Sequence, residues 1–389
     1  MKIPLLNLRA QDAVIGAEVR AAIERVLEAQ EFVLGAPVAT FEREIAEFSG
    51  AASAVGVASG TDALYLALTG LGAGPGTAVV TSAYSFIATA TAIVRVGARP
   101  VFVDVDPATF NLDLDALEET IENYPTGRWS ERLVGVVPVH LFGATVCLER
   151  VLQLAAAHGL FVVEDAAQAV GAAVPALGHR RAGAVGDAGC LSFYPSKNLG
   201  GLGDGGMVLT SRDDLALRLR SLRVHGAVGE PYRHETLGIG SRLDALQAAA
   251  LSVKLRYVDQ WNVARRQVAG WYAEAFCSAD LTPPAEPRIG LPQPSGAAHV
   301  FHQYVIRVPG HRDRLRAHLS DRGIGTQVYY PIPLHLQPCL RHLDYCDGDF
   351  PEAERASAET LALPMYPELP KSAVETVVEA IAEYYRTCR

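Results

Sequence analysis

The sequence predicts an α/β chain: a large unit with a mostly parallel mixed sheet between helices, then a smaller C-terminal α+β unit. Three observations carry this expectation. Short apolar strands alternate with helical stretches through residues 78–209. Those strands are apolar on both faces, as in a sheet covered by helices on either side. A Pro/Gly-rich stretch, Pro283 to Pro294, then separates off a last segment with its own strand and helix signals. The chain has 389 residues, 49% of them hydrophobic, which is too long for one minimal core and apolar enough to fill two.

Residues 12–30 read as an amphipathic helix, with Val14, Val19, Ala22, Ile23, Val26 and Leu27 at helical spacing. Phe32-Val33-Leu34-Gly35 turns the chain into a second helix at 37–48, and Ser59-Gly60-Thr61 opens a third at 62–70. Strands follow at 78–81, 101–104, 133–139, 161–164, 190–193 and 207–209, with helices at 86–96, 114–122 and 148–158 between them. A long helical pattern runs from Leu243 to about Phe276 and bridges the two units. The segment 299–389 reads as strand 304–308, helix 312–322, strand 326–330 and a terminal helix 372–386. The expected division is a large unit at 1–255 and a small one at 256–389 that includes the bridging helix.

Composition excludes several classes. The net charge is -9 with no basic run to offset it, which argues against a nucleic-acid partner. No stretch is long and apolar enough to span a bilayer, and the N-terminus lacks a signal-peptide core, so a cytoplasmic protein without a membrane partner is expected. Six cysteines lie without metal-type pairing and read as free thiols of a reducing compartment. His299, His302, His311, His335 and His342 have no metal-ligand spacing, and no metal is expected.

Three segments carry chemistry. Lys197 closes Ser192-Phe-Tyr-Pro-Ser-Lys197 and enters a Gly-rich turn; Asp165 ends the apolar run Phe161-Val-Val-Glu164-Asp165; Ser59, Gly60 and Thr61 start a helix. A lysine, an acid at a strand end and a phosphate-type helix start are the parts that hold pyridoxal 5'-phosphate. Lys197 is the Schiff-base lysine, and its surroundings must depress its pKa for it to attack as a neutral amine. Asp165 pairs with the pyridine nitrogen, with Glu164 as the competing acid. Ser59, Gly60, Thr61 and Ser192 take the phosphate. Gln168 reaches the ring hydroxyl or the lysine region, and Phe86 covers the ring face, with Tyr84 as a competitor. Gly201-Leu-Gly203-Asp-Gly205-Gly206 matches a dinucleotide fingerprint by letter, but a strand follows it where a helix is required, which rejects that reading.

These segments resemble the DegT-type sugar-nucleotide aminotransferases, within the fold type I pyridoxal-phosphate enzymes. Phe32-Val-Leu-Gly35, Ser59-Gly-Thr-Asp-Ala-Leu64, Val137-Pro-Val-His140-Leu-Phe-Gly143, Glu164-Asp-Ala-Ala-Gln-Ala169, Ser192-Phe-Tyr-Pro-Ser-Lys197, Gly203-Asp-Gly-Gly206, Ser241-Arg-Leu-Asp-Ala-Leu-Gln-Ala248 and Pro331-Ile-Pro-Leu-His335 match in the family's order, over nearly the whole chain. The resemblance implies a homodimer with two sites at its interface, L-glutamate as amino donor, and a nucleotide-linked keto-sugar as acceptor. Ser241-Arg242-Leu-Asp, with His234-Glu-Thr before it, looks most like members that form 3-amino-deoxysugars, dTDP-linked; 4-keto and UDP-linked 3-keto substrates are the alternatives. The family usually has Asn before Ser-Arg, reaching the phosphate across the interface. Here Gly240 stands there, and Ser241 is the nearest candidate to replace it. A sugar diphosphate needs cationic or donor groups, for which His140, Arg223, His225, His234, Arg242 and His335 are the candidates, against ordinary surface charge as the competing reading. Two rivals of other classes are a pyridoxal-phosphate sugar dehydratase, which looks similar but carries His in place of Lys197, and a non-catalytic cofactor-binding protein.

Overall fold

In the computed structural model, residues 2–124, 129–178, 180–229, 232–283, 289–293 and 296–387 are described. Seven strands form the main sheet: β1 (Ser53–Val57), β2 (Thr77–Ser82), β3 (Arg99–Val103), β4 (Arg132–Val137), β5 (Phe161–Asp165), β6 (Ala188–Ser192) and β7 (Gly206–Thr210), in the order β1-β7-β6-β5-β4-β2-β3. Only β7 runs against its neighbours; the remaining pairs are parallel. The carboxyl ends of six strands and the start of β7 therefore share one edge, the edge where open α/β sheets bind ligands.

The helices are α1 (Leu8–Ala29), α2 (Gly35–Ser49), α3 (Gly60–Gly70), α4 (Ala88–Arg95), α5 (Leu114–Glu122), α6 (Leu148–Ala157), α7 (Asp213–Leu222), α8 (Ala245–Leu255), α9 (Val258–Ser278), α10 (Arg312–Asp321), α11 (Pro351–Glu359) and α12 (Lys371–Thr387). Side chains alternate across the sheet. Leu191, Met207 and Leu209 pack with α1, α2 and α8 on one face. Cys190 and Val208 pack with α3 and α7 on the other. Both faces are thus dry, which is why the strands read as apolar throughout.

A second core lies in the C-terminal part, around the antiparallel pair β8 (Tyr304–Arg307) and β9 (Thr360–Leu363). Val268, Tyr272 and Phe276 of α9 join it with residues of α10 and α12. Tyr272 stacks on Tyr304 with ring centroids 4.5 Å apart. Ile3 also packs there and bridges to Ile324, so this core draws on both ends of the chain.

The structure differs from the sequence reading at several elements. The helical run 243–276 is broken at Arg256-Tyr257 into α8, which belongs to the sheet core, and α9, whose later residues belong to the second core. β1, α7, α11 and β9 were not expected; Ala and Gly dilute the strand signal in β1. Residues 326–330 do not form a strand beyond one bridge, Gln327 to Ala362. The Tyr84 side chain takes the backbone groups instead: its hydroxyl donates to Tyr329 O and accepts from Tyr330 N–H. Of the Pro/Gly-rich stretch, 284–288 and 294 lie outside the described residues; Gly290 bridges to Arg307.

Candidate active site

The shared edge brings Ser59, Gly60, Asp165, Ser192 and Lys197 together from four segments. Ser59 caps α3, accepting Asp62 N–H at 3.1 Å. The first-turn N–H groups of Gly60 and Thr61 then lie outside the helical ladder and face the edge. Gly60 is required by packing, since a Cβ there would lie 2.7 Å from Ser192 Cβ. Gly206 is required likewise, with a Cβ only 2.3 Å from Ser59 O. These two glycines let β6 and β7 close onto the start of α3, so that Ser192 lies beside it.

Alternation at the end of β5 separates the two acids. Glu164 is fully buried and turns away from the edge: it accepts from the N–H groups of Gly183, Val185 and Gly186 at 2.7–2.8 Å and meets His140 Nε2 at 3.0 Å. Burial opposes its charge, but His140 and the amides outweigh it and hold the carboxyl below its usual range. Asp165 takes Thr89 Oγ1–H on Oδ2 at 2.7 Å and Ala167 N–H on Oδ1 at 3.2 Å. Its backbone is fixed by Pro138 O and His140 N–H.

Lys197 is half-buried in the turn after β6, its N–H bonded to Tyr194 O. Burial of the amine lowers its pKa to about 8, with Asp165 opposing the shift. A depressed lysine with a carboxylate near it is what an aldehyde-trapping amine needs. Asn198, the next residue, reaches His302 Nδ1 at 3.1 Å, Asn262 at 2.9 Å and Val300 O at 3.1 Å, tying the lysine turn to the C-terminal part. Phe86 is 53% exposed in the loop after β2 and free to cover a ring, whereas Tyr84 is buried with its hydroxyl committed. Gln168 accepts Phe142 N–H at 2.7 Å and donates to Tyr330 Oη at 2.9 Å. The donor set fits pyridoxal phosphate: free helix N–H groups and a serine for the phosphate, a carboxyl group, an amine and an exposed aromatic ring.

Several expected substrate residues are placed elsewhere. His140 is fully buried, with Nε2 on Glu164 and Nδ1 accepting Val146 N–H at 3.2 Å, so it braces β4 and β5 and does not face a ligand. Arg223 is buried, pairing with Glu42 and donating to Gly56 O at 2.9 Å; it ties α7 to α2 and β1. His335 is buried between Phe350 and Glu354, whose Oε1 lies 2.9 Å from Nε2. Ser241 is spent within its own chain, donating to Asp62 Oδ2 at 2.8 Å and accepting Ala58 N–H at 3.0 Å, so it supports the phosphate cradle without facing it. His225, His234 and Arg242 lie in the segment that leads to α8. His225 and His234 are exposed and Arg242 is half-buried; His234 Nδ1 donates to His225 O at 3.0 Å. At Gly240 a Cβ would lie 2.9 Å from His225 Nε2, so the imidazole occupies the space beside it. Thr89, Asn198 and Tyr330 were not singled out in the sequence, and His302 was weighed there only as a histidine without metal-ligand spacing. Tyr330 adjoins the motif Pro331-Ile-Pro-Leu-His335, which was the one signal available for it.

The chain is 44% identical over 390 residues to a pleiotropic regulatory protein of Geobacillus stearothermophilus, covering 99% of each. It is 41% identical to a UDP-N-acetyl-3-dehydro-alpha-D-glucosamine 3-aminotransferase of Acidithiobacillus ferrooxidans, covering 97% of each. Among solved structures, DesV of S. venezuelae in complex with a ketimine intermediate superposes with a TM-score of 0.90 at 39% identity, covering 98% of each chain. NtdA of Bacillus subtilis with bound cofactor PMP superposes with a TM-score of 0.86 at 28% identity, covering 98% of this chain and 85% of that one. Residues 13–382 match the DegT/DnrJ/EryC1/StrS aminotransferase family, and the chain belongs to that family.

Proposed function

We propose that this protein is a pyridoxal-phosphate-dependent aminotransferase that aminates C3 of a nucleotide-linked 3-keto sugar, with L-glutamate as donor. The observation that carries the reading is the convergence of Lys197, Asp165 and the Ser59-Gly60-Thr61 helix start at one sheet edge, with the Lys197 pKa drawn down to about 8. The cofactor, when bound, supplies an aldehyde for the travelling amine and a ring that draws electrons from the carbon losing its proton. Around it, Lys197 Nζ binds and later moves the proton at that carbon. Asp165, positioned by Thr89 and Ala167, would hold the ring-nitrogen proton. The α3 start and Ser192 bind the phosphate, and Phe86 excludes water from one ring face.

The C3 reading rests on the Ser241-Arg242-Leu243-Asp244 segment and on similarity to C3-acting relatives such as the Acidithiobacillus protein. A dTDP-linked deoxysugar is the first reading; the same relative's UDP-linked substrate favours a UDP-linked 3-keto sugar as the second. The protein acts in the cytoplasm as a homodimer. Among the described residues no helix is long and apolar enough to cross a membrane. The dimer reading rests on the exposed segment before Ser241, where Leu237 is 97% exposed, an apolar surface that a second subunit would cover. Incubation with L-glutamate and a panel of 3-keto and 4-keto sugars on each nucleotide tests the reading. Amine at C3 supports it, and amination of 4-keto sugars alone overturns the C3 assignment.

A further inference from the structure

The amides around His302 leave one reading of its ring. Asn262 Nδ2 donates to Val170 O at 3.0 Å, so Asn262 Oδ1 is the atom that faces Asn198. Asn198 Nδ2 donates to that oxygen at 2.9 Å and to Val300 O at 3.1 Å. Asn198 Oδ1 is then the atom 3.1 Å from His302 Nδ1, and an amide oxygen needs an N–H opposite it. The His302 proton is therefore on Nδ1, and Nε2 carries the lone pair.

The imidazole is also neutral. His302 is buried, and the charged groups that face it, Lys197 and Arg265, are both positive; burial first and then these charges hold its pKa well below the usual value. Among the described residues no carboxylate pairs with it. Arg265 of α9 fixes the backbone that carries the ring, donating from Nη1 to Phe301 O at 3.1 Å and to Met365 O at 3.3 Å, and the acid that faces Arg265 is Glu368. The Lys197 amine for its part faces Asp165. Asn198 directly follows Lys197, so one chain of hydrogen bonds runs from α9 through His302 to the residue beside the amine. We propose that His302 is a positioning residue for Lys197: a neutral imidazole that anchors the lysine turn through Asn198 without placing a second positive charge beside the amine. The proposal rests on the aminotransferase reading above, in which Lys197 is the reacting amine.

The test compares two amides in place of the imidazole. An Asn side chain puts its amide where Nδ1 stands and can still donate to Asn198; a Gln side chain puts it near Nε2 and cannot. The first readout is the pH midpoint for capture of pyridoxal phosphate by the apo-protein, and the second is the split between kcat and the sugar-nucleotide KM in the holo-protein. In His302→Gln the Asn198 oxygen loses its donor, the turn loosens and water reaches the amine. The capture midpoint should rise by about one unit, a tenfold loss of free amine at neutral pH. The kcat should fall about tenfold, with KM unchanged. His302→Asn should recover most of both. An unchanged midpoint and kcat in His302→Gln overturn the proposal even if the thermal midpoint falls, because that is the mark of a merely structural residue. Equal losses in the two variants overturn it as well, since the Nδ1 bond to Asn198 is then not what matters. Failure of the unsubstituted apo-protein to capture the cofactor at any pH overturns the aminotransferase reading, and this proposal with it.

Discussion

The hydroxyl of Thr89 donates to Asp165 Oδ2 at 2.7 Å, and Ser85 Oγ stands 3.1 Å behind Thr89 Oγ1. With Ala167 N–H on Oδ1, each carboxylate oxygen is engaged once by the protein and keeps a lone pair for the cofactor nitrogen. Hydrogen bonds to the charged form favour it, which is what an acid needs if it is to keep its partner protonated. Thr89 sits in the first turn of α4, directly after the loop of Phe86, so one segment serves both the ring face and the ring nitrogen.

Thr89→Val keeps the shape of the side chain and removes this donor. A hydrogen bond to a charged group contributes about 1.5–3 kcal/mol, so a fall in kcat of about tenfold or more is expected, with cofactor content unchanged by absorbance. Asp165→Asn should fall much further, by orders of magnitude, because the charge itself is lost. Near-normal turnover in the Asn variant would reassign the role.

The Lys197 amine is held near pKa 8 by burial, against Asp165, compared with 10.5 in water. Cofactor capture by the apo-protein should therefore accelerate with pH through a midpoint near 8, as the neutral amine becomes available. The sign for stability follows. Between about 8 and 10.5 the unfolded chain binds the extra proton, so this group's contribution to apo-protein stability rises with pH across that window. Borohydride reduction should fix the cofactor to the peptide containing Lys197, and Lys197→Ala should remove that adduct; an adduct on Lys254 would contradict the assignment.

His140 and Glu164 form a buried pair that braces the turn at 183–186 and the end of β5. Glu164→Leu leaves three amides and the imidazole without their acceptor, and a loss of about 3–5 kcal/mol is expected from breaking such a pair, read as a lowered denaturation midpoint. If stability is kept and only the sugar-nucleotide KM rises, the pair serves the substrate after all.

Much of this was legible in the sequence. The strand ends bearing Asp165 and Ser192, the Ser59 helix start and the Lys197 turn carry local signals, namely apolar runs that stop at polar residues and glycines where the chain must close up. What was not legible depends on contacts distant in sequence. Arg223, His140 and His335 look like available cations until Glu42, Glu164 and Glu354 arrive from elsewhere and bury them. The strand expected at 326–330 fails because Tyr84, some 245 residues away, takes its backbone groups. Tyr330 and Thr89 carry no periodicity or spacing of their own, and only the packed structure gives them a role.

Gly240 is not required by backbone conformation, since it is not among the residues with positive φ. Only the exposed His225 ring stands in the way of a side chain there. Gly240→Asn should therefore change stability by no more than about 0.5 kcal/mol, as usual for a surface substitution, with the imidazole swinging into solvent. A large fall in the thermal midpoint would show that the glycine supports the fold itself.

The central claim is that one site takes an amine from a donor and passes it to C3 of a sugar nucleotide. The direct measurement is the visible absorbance of the purified holo-protein in two steps. L-Glutamate alone should bleach the band, and a dTDP- or UDP-linked 3-keto sugar should then restore it with one equivalent of 3-amino sugar per site. A band that ignores every amino donor, or one that bleaches but is restored by no keto-sugar nucleotide, would contradict the account.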